Sequence, residues 1–330
     1  MKIIEAENLK KNYNGFTAVD GVNFHLNRGE IFGFLGPNGA GKTTTINMLT
    51  GMAKITEGTV KLMGVDYTRN AKKAQALMGI VPDESNLYEE LTGWENLVFC
   101  GALYGMEKIL REQRATQLLE QFGLAEAANK SFKAYSKGMK RKLTIAAGII
   151  HQPEILFLDE PTTGIDVAFA RQIRNLILKL HGKGTTIFLT THYIEEAERL
   201  CERVAFIVQG KIVREGTVDE LMKETQEDNI VQFTLGGDFS NIREEMERHF
   251  IDYSFMSGKN SGVSVRTPGP VSLFPLVRFF EEKNMPVYEA KIIRPSLEEV
   301  FVKVTGIELQ KMQDGQNQGP GKGPKGGRRS

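Results

Sequence analysis

Residues Gly36-Pro37-Asn38-Gly39-Ala40-Gly41-Lys42-Thr43 fit the phosphate-loop spacing G-x-x-x-x-G-K-S/T. The apolar stretch Ile31–Leu35 precedes them and a helical pattern runs on through Thr44 to Leu49, so the motif stands between a strand and the start of a helix. Glycines let the backbone fold around a phosphate with its N–H groups inward, at the positive end of the helix dipole. In such a loop Lys42 reaches the β- and γ-phosphates and the Thr43 hydroxyl coordinates Mg²⁺.

A second chemical group closes another apolar strand, Ile155–Asp159, which is followed by Glu160 and Pro161. Two carboxylates at the exit of a buried strand are where an α/β sheet presents side chains to a ligand. Asp159 suits Mg²⁺, and Glu160 is then placed to polarise an attacking water as general base, because phosphoryl transfer asks mainly for positioning and charge stabilisation. Alone, such a pair is usually a solvated strand end. With the upstream phosphate loop, catalysis is the better reading.

The elements that must hold these groups are legible in outline. Ile3 and Ile4 begin an alternating segment that turns at Asn14-Gly15 and resumes with Val22, Phe24 and Leu26 on one face, predicting an antiparallel β edge. From Glu30 onward, short apolar strands such as Ile31–Leu35, Ile155–Asp159 and Thr186–Thr191 alternate with longer helical stretches, the mark of a mostly parallel core sheet. Residues 87–150 show helical periodicity without a strand, which predicts an inserted helical subdomain. A hairpin is expected to turn at Gln209-Gly210, and Thr217 with Glu220 forms a capping box for a short helix, ending the first domain near residue 222. Residues 229–307 repeat strand, helix, strand twice, a ferredoxin-like α+β order, and close on a helix whose capping box is Ser296 with Glu299. The fold class expected is α/β with a small C-terminal α+β domain.

Composition excludes several alternatives. The 330 residues carry a formal net charge of +1, 41% hydrophobic and 25% charged residues, which does not argue for wholesale nucleic-acid binding. Cys100 and Cys201 lack metal-ligand spacing and read as reduced packing residues, in keeping with a reducing cytosol. The charged first residues read as having no export signal, and no apolar run approaches the ~20 residues that cross a bilayer. Residues 308–330, rich in Gly and Pro with Lys311, Lys322, Lys325, Arg328 and Arg329 against Asp314, read as a disordered solvated tail or added segment rather than a nucleic-acid arm.

Over residues 1–222 these motifs resemble the ATP-binding subunit of ABC transporters, a P-loop NTPase cassette. Further motifs follow in the family's order. Tyr135-Ser136-Lys137-Gly138-Met139 stands in the place of the signature loop, with Lys137 and Met139 replacing the commoner Gly and Gln, and resembles the variant of the drug, antibiotic and sodium exporter branch. The resemblance implies that Ser136 and Gly138 hold the γ-phosphate of a second subunit's nucleotide; without it, Ser136 reads as a helix N-cap. It implies that Asp166 of Thr162-Thr163-Gly164-Ile165-Asp166 crosses a dimer interface, that His192 touches the γ-phosphate, and that Tyr13 stacks on adenine. Where the family has a glutamine after the strand ending near Val81, this chain has Asp83, a carboxylate that accepts water or metal but cannot donate a hydrogen bond. Trp94 reads equally as an aromatic facing a membrane partner or as a core residue of the helical insertion.

The resemblance thus implies ATP and Mg²⁺ as cofactors, with Lys42, Glu160 and His192 catalytic and Thr43, Asp159 and Asp83 around the metal. The implied assembly is a homodimer, or a dimer with a related ATPase subunit, bound to transmembrane permease subunits at the cytoplasmic face of the cell membrane. A soluble ABC ATPase acting on ribosomes or DNA is the alternative, although the long coiled coil or second cassette of such proteins is missing. A non-catalytic interaction protein on a degenerate cassette is disfavoured by joint retention of Lys42, Asp159, Glu160 and His192. The C-terminal domain resembles that of exporter ATPases and is expected to regulate the dimer or stabilise it.

Overall fold

Apolar segments with β-branched and aromatic residues alternate with helical ones along the chain, and each forms the element its period demands. The computed structural model describes residues 1–69, 71–225, 229–257, 262–267, 269, 272–293 and 296–307, so the expected tail at 308–330 lies outside the described residues. In chain order the first part contains β1 (Lys2–Tyr13), β2 (Phe16–Asn27), β3 (Ile31–Leu35), α1 (Lys42–Leu49), β4 (Glu57–Leu62), β5 (Val65–Asp66), α2 (Lys72–Gln75) and β6 (Met78–Val81). Next come α3 (Gly93–Leu103), α4 (Lys108–Gln121), α5 (Lys137–Gly148), β7 (Ile155–Asp159), α6 (Val167–His181), β8 (Thr186–Thr191), α7 (Ile194–Leu200), β9 (Arg203–Val208), β10 (Lys211–Thr217) and α8 (Val218–Thr225). The rest is β11 (Asn229–Leu235), α9 (Arg243–His249), β12 (Ser254–Ser257), β13 (Gly262–Thr267), α10 (Leu273–Glu282), β14 (Val287–Ile293) and α11 (Leu297–Thr305).

Two compact units divide the described residues: Met1–Val218 together with residues 301–307, and Asp219–Val300. In the first, the hairpin of β1 and β2 turns at Asn14-Gly15 and joins β4 and β5 in an antiparallel sheet of order β2-β1-β4-β5. The core sheet has the order β10-β9-β3-β8-β7-β6, parallel except for the β9–β10 hairpin that turns at Gln209-Gly210. Every residue of β3, β7 and β8 is buried, which explains why these strands read as continuous apolar runs rather than alternations. The two sheets share a phenylalanine core. Phe24 of β2 stacks on Phe32 at 5.9 Å and tilts against Phe34 and Phe188, and Phe188 meets Phe157 at 5.6 Å. Each such pair adds about 0.5–1.5 kcal/mol beyond its burial. Ile46, Met48 and Leu49 of α1 join the same cluster, fixing the helix behind the phosphate loop.

Between β6 and β7 the chain makes the helical insertion. Thr92 caps α3 with the reciprocal bonds of a capping box, accepting from Glu95 N at 3.1 Å and donating its own N–H to Glu95 Oε2 at 2.8 Å. The second unit runs β-α-β-β-α-β with the sheet order β12-β13-β11-β14 and all pairs antiparallel, the ferredoxin-like topology expected from its sequence. Its helices bury Met246, Leu276 and Phe280 against Val231, Phe233 and Val265 of the sheet.

One half-buried histidine carries a stability prediction. His151, after α5, stacks flat on Tyr104, 3.5 Å between ring centroids and 6° between planes. Its Nε2 lies 3.1 Å from Met78 O, which only accepts, so Nε2 carries the hydrogen; Nδ1 is buried without a partner among the described residues. Burial pushes the imidazole down to about 4 from its ordinary 6.5, against the smaller opposing effect of the Met78 bond. Because the folded state holds this proton less tightly than the unfolded chain, the stability it contributes is complete above 6.5 and declines as pH falls toward 4. On acidification from pH 7 to 5 the wild type should lose about 1–2 kcal/mol more than His151→Gln, allowing for partial exposure. Urea melts at the two pH values check this, and parallel losses in both proteins would show that His151 titrates normally.

Candidate active site

The strand order places the chemistry. β8 lies between β3 and β7, and these three parallel neighbours end side by side, Leu35 opposite Thr191 and Asp159 opposite Thr190. The residues leaving those ends are the phosphate loop, Glu160 and His192; the loop lies more than a hundred positions before the other two in sequence, yet all three share one end of the sheet. Gly41 precedes α1 with φ of 105°, a left-handed conformation costly for any residue with a Cβ, and a Cβ there would lie 2.6 Å from Ala18 O. The loop can therefore curl into the helix start only with glycine at that position.

Lys42 is buried and its ammonium donates to Gly36 O at 2.7 Å and Pro37 O at 3.2 Å while pairing with Glu160 Oε1 at 3.0 Å. Thr43 Oγ1 donates to Asp159 Oδ2 at 2.8 Å, and the Thr190 hydroxyl donates to Asp159 Oδ1. Asp159 is thus aimed by two hydroxyls. Thr43 and Asp159 supply hard oxygen donors of the kind Mg²⁺ takes, and no cluster of three or more His, Cys, Asp or Glu among the described residues could hold a metal alone. Such a donor set fits an ion completed by phosphate oxygens.

Glu160 has φ of 47°, unusual for a residue with a side chain, and is held there by its N–H on Thr190 O at 3.1 Å. Its Oε2 accepts from Thr163 Oγ1 at 2.9 Å and from His192 Nδ1 at 2.8 Å, so Nδ1 carries the ring hydrogen when the imidazole is neutral. Its Oε1 is buried with no directed hydrogen bond, facing Lys42 only as an ion pair. Burial pushes this carboxyl up, but His192 and Lys42 together outweigh it and hold it at about 2. Glu160 is therefore ionised throughout the neutral range, with one oxygen available to a small polar partner.

The other predicted residues complete the phosphate loop or lie on other elements of the first unit. Ser136 is exposed and caps α5, its Oγ accepting from Met139 N at 3.3 Å; Gly138 in the first turn of α5 leaves no room for a Cβ, which would fall 2.4 Å from the Phe169 ring. Asp166 is exposed and caps α6 through Phe169 N at 3.0 Å. Tyr13 ends β1, 45% exposed, with the Lys11 ammonium 4.6 Å over its ring. Asn38 and Gly39 are exposed and Pro37 and Thr44 half-buried around the loop, while Gly36 and Ala40 are buried. Asp83 is exposed with its carboxylate 3.3 Å from Arg141, and partial desolvation pushes it upward against the pull of that guanidinium. Trp94 is half-buried.

Sequence reasoning missed several supports. Thr190 had a signal, being one of the two threonines that close β8 after the apolar run 187–189. Glu196 is buried on α7 and accepts from Thr162 Oγ1 at 2.7 Å, tying down the loop that leads to Asp166; nothing in its spacing marked it. Arg141 sits in the basic run Lys140-Arg141-Lys142, yet it is buried beside Asp83 and Glu160.

Residues 19–163 match the family model described as ABC transporter. The linearmycin resistance ATP-binding protein LnrL of Bacillus subtilis is 42% identical over 235 residues, 71% of this chain and 76% of that protein. The daunorubicin/doxorubicin resistance ATP-binding protein DrrA of Streptomyces peucetius is 36% identical over 309 residues, 92% of this chain and 93% of that protein. The Nod factor export ATP-binding protein I of Paraburkholderia xenovorans is 37% identical over 308 residues, 93% of this chain and 98% of that protein. Among solved structures, a dimeric ATP-binding cassette in a post-hydrolysis state with ADP and Pi is similar with a TM-score of 0.61 and 27% identity, covering 65% of this chain and 98% of its own.

Proposed function

The chain belongs to the ABC transporter ATP-binding proteins and is an ATP-hydrolysing enzyme, and on that premise we propose that it is the motor subunit of an exporter, working in pairs on a separate permease. The observation that carries this reading is the cluster of Lys42, Thr43, Asp159, Glu160 and His192 at the ends of three adjacent strands, with Ser136 exposed on a helix start. One chain supplies the phosphate loop and the base, and the other supplies the Ser136 and Gly138 loop, across a two-fold axis or its pseudo-symmetric equivalent.

When ATP binds, its phosphates offer Lys42 a stronger partner than Glu160 Oε1, and the N–H groups at the head of α1 receive the remaining charge. Glu160, relieved of one cation, becomes a better base for a water in line with the γ-phosphorus. The water oxygen bonds to phosphorus as the bond to the β-phosphate oxygen breaks, and Glu160 takes the water proton. His192 keeps Glu160 aimed through Nδ1 and contacts the γ-phosphate. Thr43 and Asp159, with Asp83 nearby, would hold Mg²⁺, which when bound would supply neutralisation of charge on the transferred group. Tyr13 covers the adenine, and Asp166 meets the partner chain. Loss of the γ-phosphate removes contacts specific to the closed pair, so the pair opens.

The membrane side of the reading rests on the helical insertion. Tyr88 and Phe99, 56% and 37% exposed, meet edge-on at 5.1 Å, and Leu103 is 71% exposed nearby on α3, an apolar face suited to a permease. No helix among the described residues is long and apolar enough to cross a membrane; we assign the chain to the cytoplasmic face of the membrane on the proposed permease partner, to which the relatives' names as resistance and export ATP-binding proteins lend support. The resistance and export named for the relatives support outward transport. The ferredoxin-like unit is assigned to regulating or stabilising the pair. Purification from solubilised membranes should bring down a protein with about six apolar stretches of ~20 residues, and the complex should release phosphate from ATP. Recovery with ribosomes or DNA in a salt-sensitive complex, and without such a protein, would overturn the transport reading.

A further inference from the structure

We infer that Arg141 is a positioning residue for hydrolysis, clamping the backbone of Glu160 and of residues 82–83 to α5, whose start carries Ser136. This rests on the reading of Glu160 as general base and deepens it. Arg141 is 7% exposed, and its two terminal nitrogens serve two segments at once: Nη1 donates to Pro82 O at 2.6 Å, while Nη2 donates to Asp83 O at 2.7 Å, Asp83 Oδ1 at 3.3 Å and Glu160 O at 3.2 Å. Those carbonyls end β6 and β7, neighbouring strands of the core sheet.

The bond to Glu160 O matters because of the backbone it holds. Glu160 has φ of 47°, a conformation that persists only when its surroundings over-determine it. The next residue is Pro161, which brings no N–H to stabilise the turn, so Glu160 O is held instead by Thr163 N at 3.2 Å and by Arg141. Rotation of this peptide would swing the side chain away from Thr163, His192 and Lys42 together. A charged residue also stands on the apolar side of α5, in the series Gly138, Arg141, Ile145 and Gly148, all of them buried. Burying a cation among backbone carbonyls is costly unless its geometry is used, and a planar fork meets several acceptors at once where an ammonium meets them singly. Asp83 supplies the one carboxylate of the set, so in this chain the residue in the glutamine position serves to anchor Arg141.

The clamp makes the exposed loop at the head of α5 and the base one mechanical unit: movement of α5 is transmitted to Glu160 O through one guanidinium. The test compares Arg141→Lys, Arg141→Gln and Glu160→Gln as full-length proteins, measuring kcat, KM for ATP, nucleotide Kd and melting temperature. Arg141→Lys keeps the charge and loses the fork. Its kcat should fall about tenfold and that of Arg141→Gln about 100-fold, the cost of misplacing a catalytic group by about an ångström, with nucleotide Kd within about twofold of wild type because Arg141 bonds the backbone rather than the ligand. In the Glu160→Gln background, Arg141→Lys should lower the residual rate no further, since it acts through the group already removed. A kcat for Arg141→Lys within twofold of wild type would overturn the clamp, as would a loss of affinity that matches the loss of rate. If Arg141→Gln fails to fold, Arg141→Lys and its double variant decide. Normal hydrolysis by Glu160→Gln would instead remove the general-base reading itself, so the two failures are told apart.

Discussion

Glu160→Gln should bring steady-state ATP hydrolysis down by about 10²–10⁴-fold, the usual contribution of a general base, while ATP still binds and holds two chains together. The amide is nearly isosteric with the carboxylate, and its oxygen can accept from Thr163 Oγ1 and His192 Nδ1 as Oε2 does at 2.9 and 2.8 Å. What disappears is the negative charge facing Lys42 at 3.0 Å and the site that takes the water proton. Lys42 is then free to commit to phosphate without leaving a carboxylate unpaired, so nucleotide affinity should hold or rise. Light scattering with and without ATP should show a nucleotide-dependent dimer longer-lived than that of wild type, and phosphate release should be nearly absent. Hydrolysis at the normal rate would take the base role from Glu160; a variant that stays monomeric with ATP bound would remove the paired mechanism.

Lys42→Ala should have two separable effects. Nucleotide affinity should fall at least about 100-fold, or roughly 3 kcal/mol, because a charge-assisted contact to the phosphates is lost from a loop whose remaining donors are neutral N–H groups. The nucleotide-free protein should also melt lower. Lys42 is 6% exposed and pairs with a carboxylate that is itself buried, and removing one member of such a pair costs about 3 kcal/mol. In a unit of this size that corresponds to a fall in melting temperature of roughly 5–10 °C. The double change Lys42→Ala with Glu160→Gln should regain part of that stability, since the stranded charge is gone. Calorimetric titration with nucleotide and thermal melts of the three variants check both effects, and an unchanged melting temperature in Lys42→Ala would mean that the ion pair contributes nothing to the fold.

Much of the site was legible because its parts are local. The phosphate loop is a contiguous strand, turn and helix start, and its glycines, lysine and threonine announce their roles by spacing alone. The acidic pair after Ile155–Asp159, the Asn14-Gly15 hairpin and the helical stretch at 87–150 were visible for the same reason. Ser136 was readable both as a helix cap and as a phosphate contact, and the structure displays the cap, Oγ to Met139 N, on a loop that is exposed. Asp83 was expected near the metal by its carboxylate, and nothing in its position announced the 3.3 Å contact that this carboxylate makes with Arg141.

Local residue order determined which chemical groups this protein has, because turn geometry, helix starts and strand periodicity depend on neighbours a few residues apart. The tertiary structure alone decided which groups meet. It put β8 between β3 and β7, so that Lys42, Asp159, Glu160 and His192 converge, and it folded α5 back to bury Arg141 of a basic run against two strand ends. Crossover order and the burial of a charge are set by contacts between segments far apart in the chain. Their energies come from packing and from the pairing of desolvated groups, which no short stretch of sequence contains.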